Sequence, residues 1–216
     1  VGEVKTMQVY SAVVGFFQDG GPFMYPIGLI LAAGVAIAIE RYLFLVRAKR
    51  FNGSAWEKLM PLIRAGNFQE AGSLTGKSQA AVARIVSHGL VKMKSARSVG
   101  EIETALEEGL LEVMPHLEKR THYLATFANV ATLLGLLGQA FTAVAQADAA
   151  QKADLLSSSI SVAMNTTAFG LMVAIPLLLI HSLLQTKTNE IVDGLEVASV
   201  KFLNAVSGET VRPEAA

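Results

Sequence analysis

Ser157-Ser-Ser-Ile-Ser-Val-Ala-Met-Asn-Thr-Thr-Ala-Phe-Gly-Leu-Met-Val-Ala-Ile-Pro-Leu-Leu-Leu-Ile180 contains no charged residue. A helix needs about 20 apolar residues to cross the hydrocarbon of a bilayer, so this stretch reads as a span. Its first half nevertheless carries four serines together with Asn165, Thr166 and Thr167. Polar side chains at membrane depth face other helices or a wet pathway rather than lipid. The stretch predicts a span that assembles around something polar.

Placed on a helix, Ser157, Ser158, Ser161 and Asn165 share one stripe, and Ala163, Thr167, Gly170 and Ala174 share a nearly opposite one. One side suits a polar partner and the other suits close helix packing. Working outward, a second charge-free run extends from Tyr123 to Ala145, where Ala125, Ala128, Asn129, Thr132 and Gly135 form another small and polar face. A first run extends from Pro22 to Ile39, closed by Glu40-Arg41 and followed by an apolar tail to Val46. Ordinary interhelical packing, with hydroxyls satisfied by backbone carbonyls, also accounts for these faces, and Pro176 is compatible with a mildly kinked membrane helix.

Composition agrees with a membrane chain. Charged residues are 17% and hydrophobic residues 52%, against about 25% charged in ordinary soluble domains. Mean hydropathy is +0.44. Zero cysteines exclude disulfides and thiolate metal sites, and a formal net charge of zero carries no nucleic-acid signature. The chain opens on Val1 rather than Met, which predicts further sequence upstream, and no cleavable signal peptide is recognisable.

Basic residues set the expected orientation. Arg47, Lys49 and Arg50 follow the first run, Lys119 and Arg120 precede the second, and Lys187 follows the third; the loop between the second and third has Lys152 against Asp148 and Asp154. The expected plan is all-α. It has an external segment 1–21, a first transmembrane helix 22–46, a helical cytoplasmic domain 47–122 and a second transmembrane helix 123–145. A short external loop 146–156, a third transmembrane helix 157–184 and a cytoplasmic tail 185–216 complete it. Within 47–122, Asn52 or Ser54 is placed to cap a helix carrying Trp56, Leu59, Met60 and Ile63, and Asn67 a short one through Leu74. Ser78 begins a helix with Val82, Ile85, Val86, Leu90 and Met93, and Ser98 with Glu101 makes a capping-box pattern. From Ser98, Ile102, Leu106, Leu110, Val113 and Leu117 predict one helix continuing to about Ala145, roughly 70 Å long.

Enzymatic chemistry finds no support. The glutamates from Glu101 to Glu118 scatter around their helix as a solvated face, and there is no nucleophile–base pair or metal motif. His122 and His181 fall at one end of an antiparallel pair of spans, an arrangement that admits a haem in principle. No other cofactor pattern accompanies them, so no cofactor and no metal are expected.

The residues resemble a known family. Gly21-Pro-Phe-Met-Tyr-Pro-Ile27 with Ile39-Glu-Arg-Tyr-Leu43 looks like the first helix of the MotA/TolQ/ExbB proton channel family. Ala128-Asn-Val-Ala-Thr-Leu-Leu-Gly-Leu-Leu-Gly138 is similar to its second-helix signature, and Asn165-Thr-Thr-Ala-Phe-Gly-Leu-Met-Val-Ala-Ile-Pro176 to its third. Three spans with a large loop between the first and second resemble the ExbB/TolQ branch. The resemblance implies a homopentameric ring in the bacterial inner membrane, in contact with membrane lipid and enclosing single helices of an ExbD- or TolR-like partner. Ion flow would drive a TonB- or TolA-like periplasm-spanning protein, serving outer-membrane transport or integrity. The ion-carrying carboxylate would belong to the partner, in keeping with second and third spans that hold no Asp or Glu. Thr167 stands at the family's third-helix pore threonine, with Thr166, Asn165 and Ser161 as further ion-pathway candidates. Asn129, Thr132, Gly135, Gly138, Gly170 and Pro176 are the expected packing positions. A structural membrane scaffold without ion coupling is the alternative.

Two departures from the family stand out. Where relatives carry a Glu five residues before that threonine, this chain has Val162, and the Thr166-Thr167 pair resembles sodium-driven relatives. After Gly138 the family continues for about six residues, including a second-helix pore threonine, before the segment that here follows at once as Gln139-Ala-Phe141. Six residues turn a helix by about 600°, roughly 120° out of phase. The expectation is a join at Gly138–Gln139 that hides missing residues and turns Phe141 onto the wrong face.

Overall fold

The computed structural model describes the backbone of residues 14–15, 21–146 and 153–210, with side chains over 14–15, 21–142 and 160–208. The described segments are helical: α1 Met24–Arg64, α2 Phe68–Lys77, α3 Ala81–Met93, α4 Val99–Glu118, α5 Thr121–Gln146 and α6 Ala153–Thr210. Three helical stretches, Met24–Arg64, Val99–Thr142 and Ile160–Gly208, contain segments long and apolar enough to cross a membrane. Most of the expected segment 1–21, most of the loop 146–156 and the side chains of Ser157 and Ser158 lie outside the described residues.

The chain divides into two compact units, Val1–Glu40 with Arg120–Leu183 and Arg41–Lys119 with Leu184–Ala216. In the first unit the core alternates large apolar side chains with alanines. Met24, Ile27 and Ala38 of α1 are buried, as are Leu124, Ala128 and Ala131 of α5 and Ala163, Phe169, Val173, Ala174 and Leu177 of α6. Glycines set the approach distances: a Cβ on Gly34 would lie 2.6 Å from Leu177 Cδ2. At the start of α1, Gly21 adopts φ 74° and its carbonyl accepts from Met24 N at 3.2 Å, a left-handed conformation that glycine takes without steric cost.

The second unit is a conventional apolar core. Leu45, Leu59 and Ile63 of α1, Val82, Ile85, Val86 and Leu90 of α3, and Ile102, Leu106, Val113 and Leu117 of α4 are buried. A run from α6 joins them: Leu184, Thr188, Ile191, Leu195, Ala198, Phe202 and Val206, a three- and four-residue rhythm that keeps one helix face inward. Residues 185–210 are therefore not a loose tail. They continue α6 as a packed helix.

Several local expectations need correction. Asn52 and Ser54 start no helix, because α1 runs unbroken through both to Arg64. It stops at Gly66, φ 69°, where Gly66 N bonds Ile63 O at 3.1 Å and Asn67 N bonds Leu62 O at 2.9 Å, the paired bonds of a Schellman end. Asn52 does cap a helix, but a different one: its Oδ1 accepts from Val82 N of α3 at 3.2 Å. The residue at the N-cap of α3 is Ala80, which has no capping side chain, so Asn52 supplies the missing acceptor. Asn52→Ala should cost about 1 kcal/mol, the usual value of a lost N-cap. Thermal unfolding of that variant in detergent, followed by circular dichroism, checks this, and an unchanged midpoint would refute it.

Ser98 occupies the N-cap of α4 without a side-chain bond, and Glu101, the other half of the expected box, pairs instead with Lys92 at 3.1 Å. Asn67 caps α2 as expected, accepting from Glu70 N at 3.4 Å. The long helix from Ser98 is broken. Lys119 is non-helical, Arg120 has φ 66°, and a new helix starts at Thr121. Two cations fix this corner. Arg41 donates to the Leu117 carbonyl, one of those that a helix end leaves open, and Arg120 Nη1 donates to Glu40 Oε2 at 3.2 Å.

Candidate functional site in the apolar helices

The site lies where α5 and α6 meet within the first unit. Gly135 and Gly170 bring the two backbones together: a Cβ on Gly170 would lie 2.7 Å from the Ala131 carbonyl oxygen and 3.2 Å from Gly135 Cα. A Cβ on Gly135 would lie 3.2 Å from Thr166 O and 3.3 Å from Thr167 Cα. Close approach of this kind is how small residues substitute for hydrophobic driving force between membrane helices. Gly138 extends the seam: a Cβ there would lie 2.7 Å from Thr166 Cγ2 and 3.1 Å from Cβ of Phe23, just before α1.

Thr167 sits on the rim of that seam, half-buried. Its Oγ1 is 3.2 Å from Ala163 O of its own helix, 3.2 Å from Gly135 O of α5 and 3.4 Å from Gln139 Oε1. A hydroxyl has one proton to donate and two lone pairs. It can satisfy only one of these acceptors at a time and keeps capacity to accept from a guest. Thr166 points inward, 1% exposed, with Oγ1 donating to Val162 O at 2.9 Å. Thr132 similarly donates to Ala128 O at 3.1 Å. Asn165 is half-buried and Ser161 is exposed, so the polar stripe of α6 opens outward while Ala163, Gly170 and Ala174 are buried.

Of the expected packing positions, Gly135, Gly138 and Gly170 are the close-contact points and Thr132 lies beside them. Asn129 and Pro176 are exposed and pack against nothing in the seam. α5 runs through Gly138–Gln139 as one helix, with Thr142 Oγ1 donating to Gly138 O at 2.7 Å. Phe141 finds a partner in Phe23, ring centroids 5.4 Å apart. The same helix sets Gln139, absent from the expected ion-pathway and packing positions, beside Thr167. An amide inside an apolar run was the available signal.

Part of the second- and third-helix motifs, Ala131, Gly135, Gly138, Thr166, Thr167 and Gly170, thus falls on one seam. A profile of the MotA/TolQ/ExbB proton channel family matches residues 77–197, more than half of the chain. The chain belongs to that family. An ExbB homolog of Methanothermobacter thermautotrophicus, named for biopolymer transport, is 28% identical over 200 residues, covering 87% of this chain and 68% of that protein. The chain is an ExbB-like multi-pass membrane protein.

Two carboxyls of the second unit are held in their charged form by neighbouring lysines. Hydrogen bonding from Lys92 holds the Glu101 carboxyl below its usual value, and Lys49 does the same for Glu190. Both groups are exposed surface pairs. Among the described residues, no three metal-ligating side chains converge, and the His122 ring lies against Tyr123 at 4.3 Å between centroids.

Proposed function

We propose that this chain is the ring-forming subunit of an ion-driven motor in a bacterial inner membrane, non-enzymatic in its chemistry. The observation that carries the reading is Thr167: a hydroxyl at an apolar helix seam, with more acceptors than it can satisfy and lone pairs left to accept from a guest. In this reading the N-terminus is periplasmic, and 47–122 with the C-terminal helix is cytoplasmic. One or two helices of an ExbD- or TolR-like partner occupy the ring. Motion there is passed to a TonB- or TolA-like protein for outer-membrane transport or integrity. The partner brings the carboxylate, and this chain brings hydroxyls and an apolar wall. The absence of an ionisable group at Val162 favours a path in which hydroxyls alone line this chain's side.

Flux measurement tests the reading. Proteoliposomes holding this chain and an ExbD-like partner should pass H⁺ or Na⁺ under an imposed gradient, read with a pH dye and a sodium dye in parallel. Vesicles that pass neither would favour a scaffold without ion coupling.

Assembly is tested separately. The family reading makes the assembly a closed five-membered ring with one heterologous interface repeated. Native mass spectrometry from detergent should show the pentamer as the main species. A dominant monomer or dimer would sink the ring.

A further inference from the structure

Within the second unit, α1, the α2–α3 connection and α4 enclose a cleft of about 760 Å³. Phe44, Arg47 and Phe51 of α1 form one wall, Lys77 and Arg84 a second, and His116 of α4 a third. No Asp or Glu lines it. Two other cations of this unit have carboxylate partners, Lys49 with Glu190 at 2.8 Å and Lys92 with Glu101 at 3.1 Å. Among the described residues Arg47, Lys77 and Arg84 do not. Uncompensated cations around one concavity focus positive potential into it.

The hydrogen-bond inventory leans the same way. Asn52, also in the wall, spends its Oδ1 on Val82 N, and its buried Nδ2 has no acceptor. The lining is rich in donors and poor in acceptors. Its apolar part is equally unusual, because Phe51 is 67% exposed and Phe44 38%. Both rings flank Arg47 on α1, immediately after the apolar run that closes at Val46. A soluble anion has no use for these rings. A phosphate carrying acyl chains uses both parts, since arginine forks bind phosphate oxygens in pairs and basic pockets beside membrane helices take lipid headgroups.

We propose that this cleft binds the headgroup of an anionic phospholipid. Arg47 and Arg84 grip the phosphate, Lys77 adds charge, and Phe44 and Phe51 bear the glycerol and the first acyl carbons. The site is distinct from the Thr167 seam and does not depend on ion coupling.

The test uses the full chain in detergent, stripped of lipid and titrated while native mass spectra are recorded. Dioleoylphosphatidylglycerol should bind about tenfold or more tighter than dioleoylphosphatidylcholine. Arg47→Gln with Arg84→Gln should erase that preference while circular dichroism stays unchanged. Glu107→Gln, on α4 outside the cleft lining, should leave it intact. Inorganic phosphate in excess should fail to displace the bound lipid. Equal binding of the two lipids, or a preference that survives the double substitution, overturns the proposal. Full displacement by phosphate also overturns it and marks a soluble-anion site. Loss of lipid whenever the ring assembles overturns it in favour of a contact between copies. Should the double variant unfold, the two-lipid comparison, the phosphate competition and the single Lys77→Gln change decide the matter.

Discussion

Gly170→Val is expected to lower the thermal midpoint of the protein by more than about 6 °C, corresponding to a loss of about 3 kcal/mol. The obstacle is not a movable side chain. Even the first carbon of valine would sit 2.7 Å from the Ala131 carbonyl oxygen and 3.2 Å from Gly135 Cα, so the helices themselves must separate. Separation also exposes the Thr166 and Thr167 region that Gly135 covers. Gly194 of α6 provides the control, because a Cβ there meets nothing within 4 Å. Gly194→Ala should gain up to about 1 kcal/mol from helix propensity. Melts by far-ultraviolet circular dichroism in one detergent compare the two. A Gly170→Val midpoint within about 2 °C of the parent would show that α5 and α6 do not meet backbone to backbone.

Thr167→Val is expected to cut ion flux with the partner present at least tenfold, about 1.4 kcal/mol on the limiting step, while leaving the assembly intact. Valine keeps the volume and removes the hydroxyl. The acceptors it abandons are Ala163 O, Gly135 O and Gln139 Oε1, and the loss of one such bond costs about 1 kcal/mol in stability. Thr167→Ser retains the oxygen and should retain most of the flux. Native mass spectrometry of the same preparations separates lost conduction from lost assembly. Parental flux in Thr167→Val vesicles would remove this residue from the path.

The three apolar segments were legible because charges are excluded from them, a signal that survives without any knowledge of packing. The small-residue faces were legible as well, since Gly135 and Gly170 contribute to helix packing through what they lack. Other features were hidden for physical reasons. The corner at Lys119–Arg120 has no glycine or proline, and Leu117, Thr121 and Leu124, all buried, stay in helical phase across it. Periodicity therefore runs straight through a break whose partners, Arg41 on Leu117 O and Glu40 on Arg120, lie outside the local sequence. Asn52 was read as a cap because asparagine suits caps, but its partner lies thirty residues away on α3. The packed end of α6 was readable: Leu184, Thr188, Ile191, Leu195, Ala198, Phe202 and Val206 carry the rhythm. It was missed because the reading stopped where the apolar run ends. At the seam, Thr167 came from its motif, whereas Gln139 needed the actual register of α5.

The seam has a kinetic meaning. From Tyr123 to Gln146 and from Ser157 to Ile180 the chain holds no group that changes charge at any accessible pH other than the tyrosine at one end. A threonine hydroxyl can hand a proton on, accepting at one lone pair while donating at its hydrogen, but it has no stable charged form in which to wait. In the proposed motor these two stretches would act as a relay and not as a store. Any step with a dwell time, during which one proton is held while something moves, would then be timed by a titrating group outside them, in the proposed reading the partner's carboxylate.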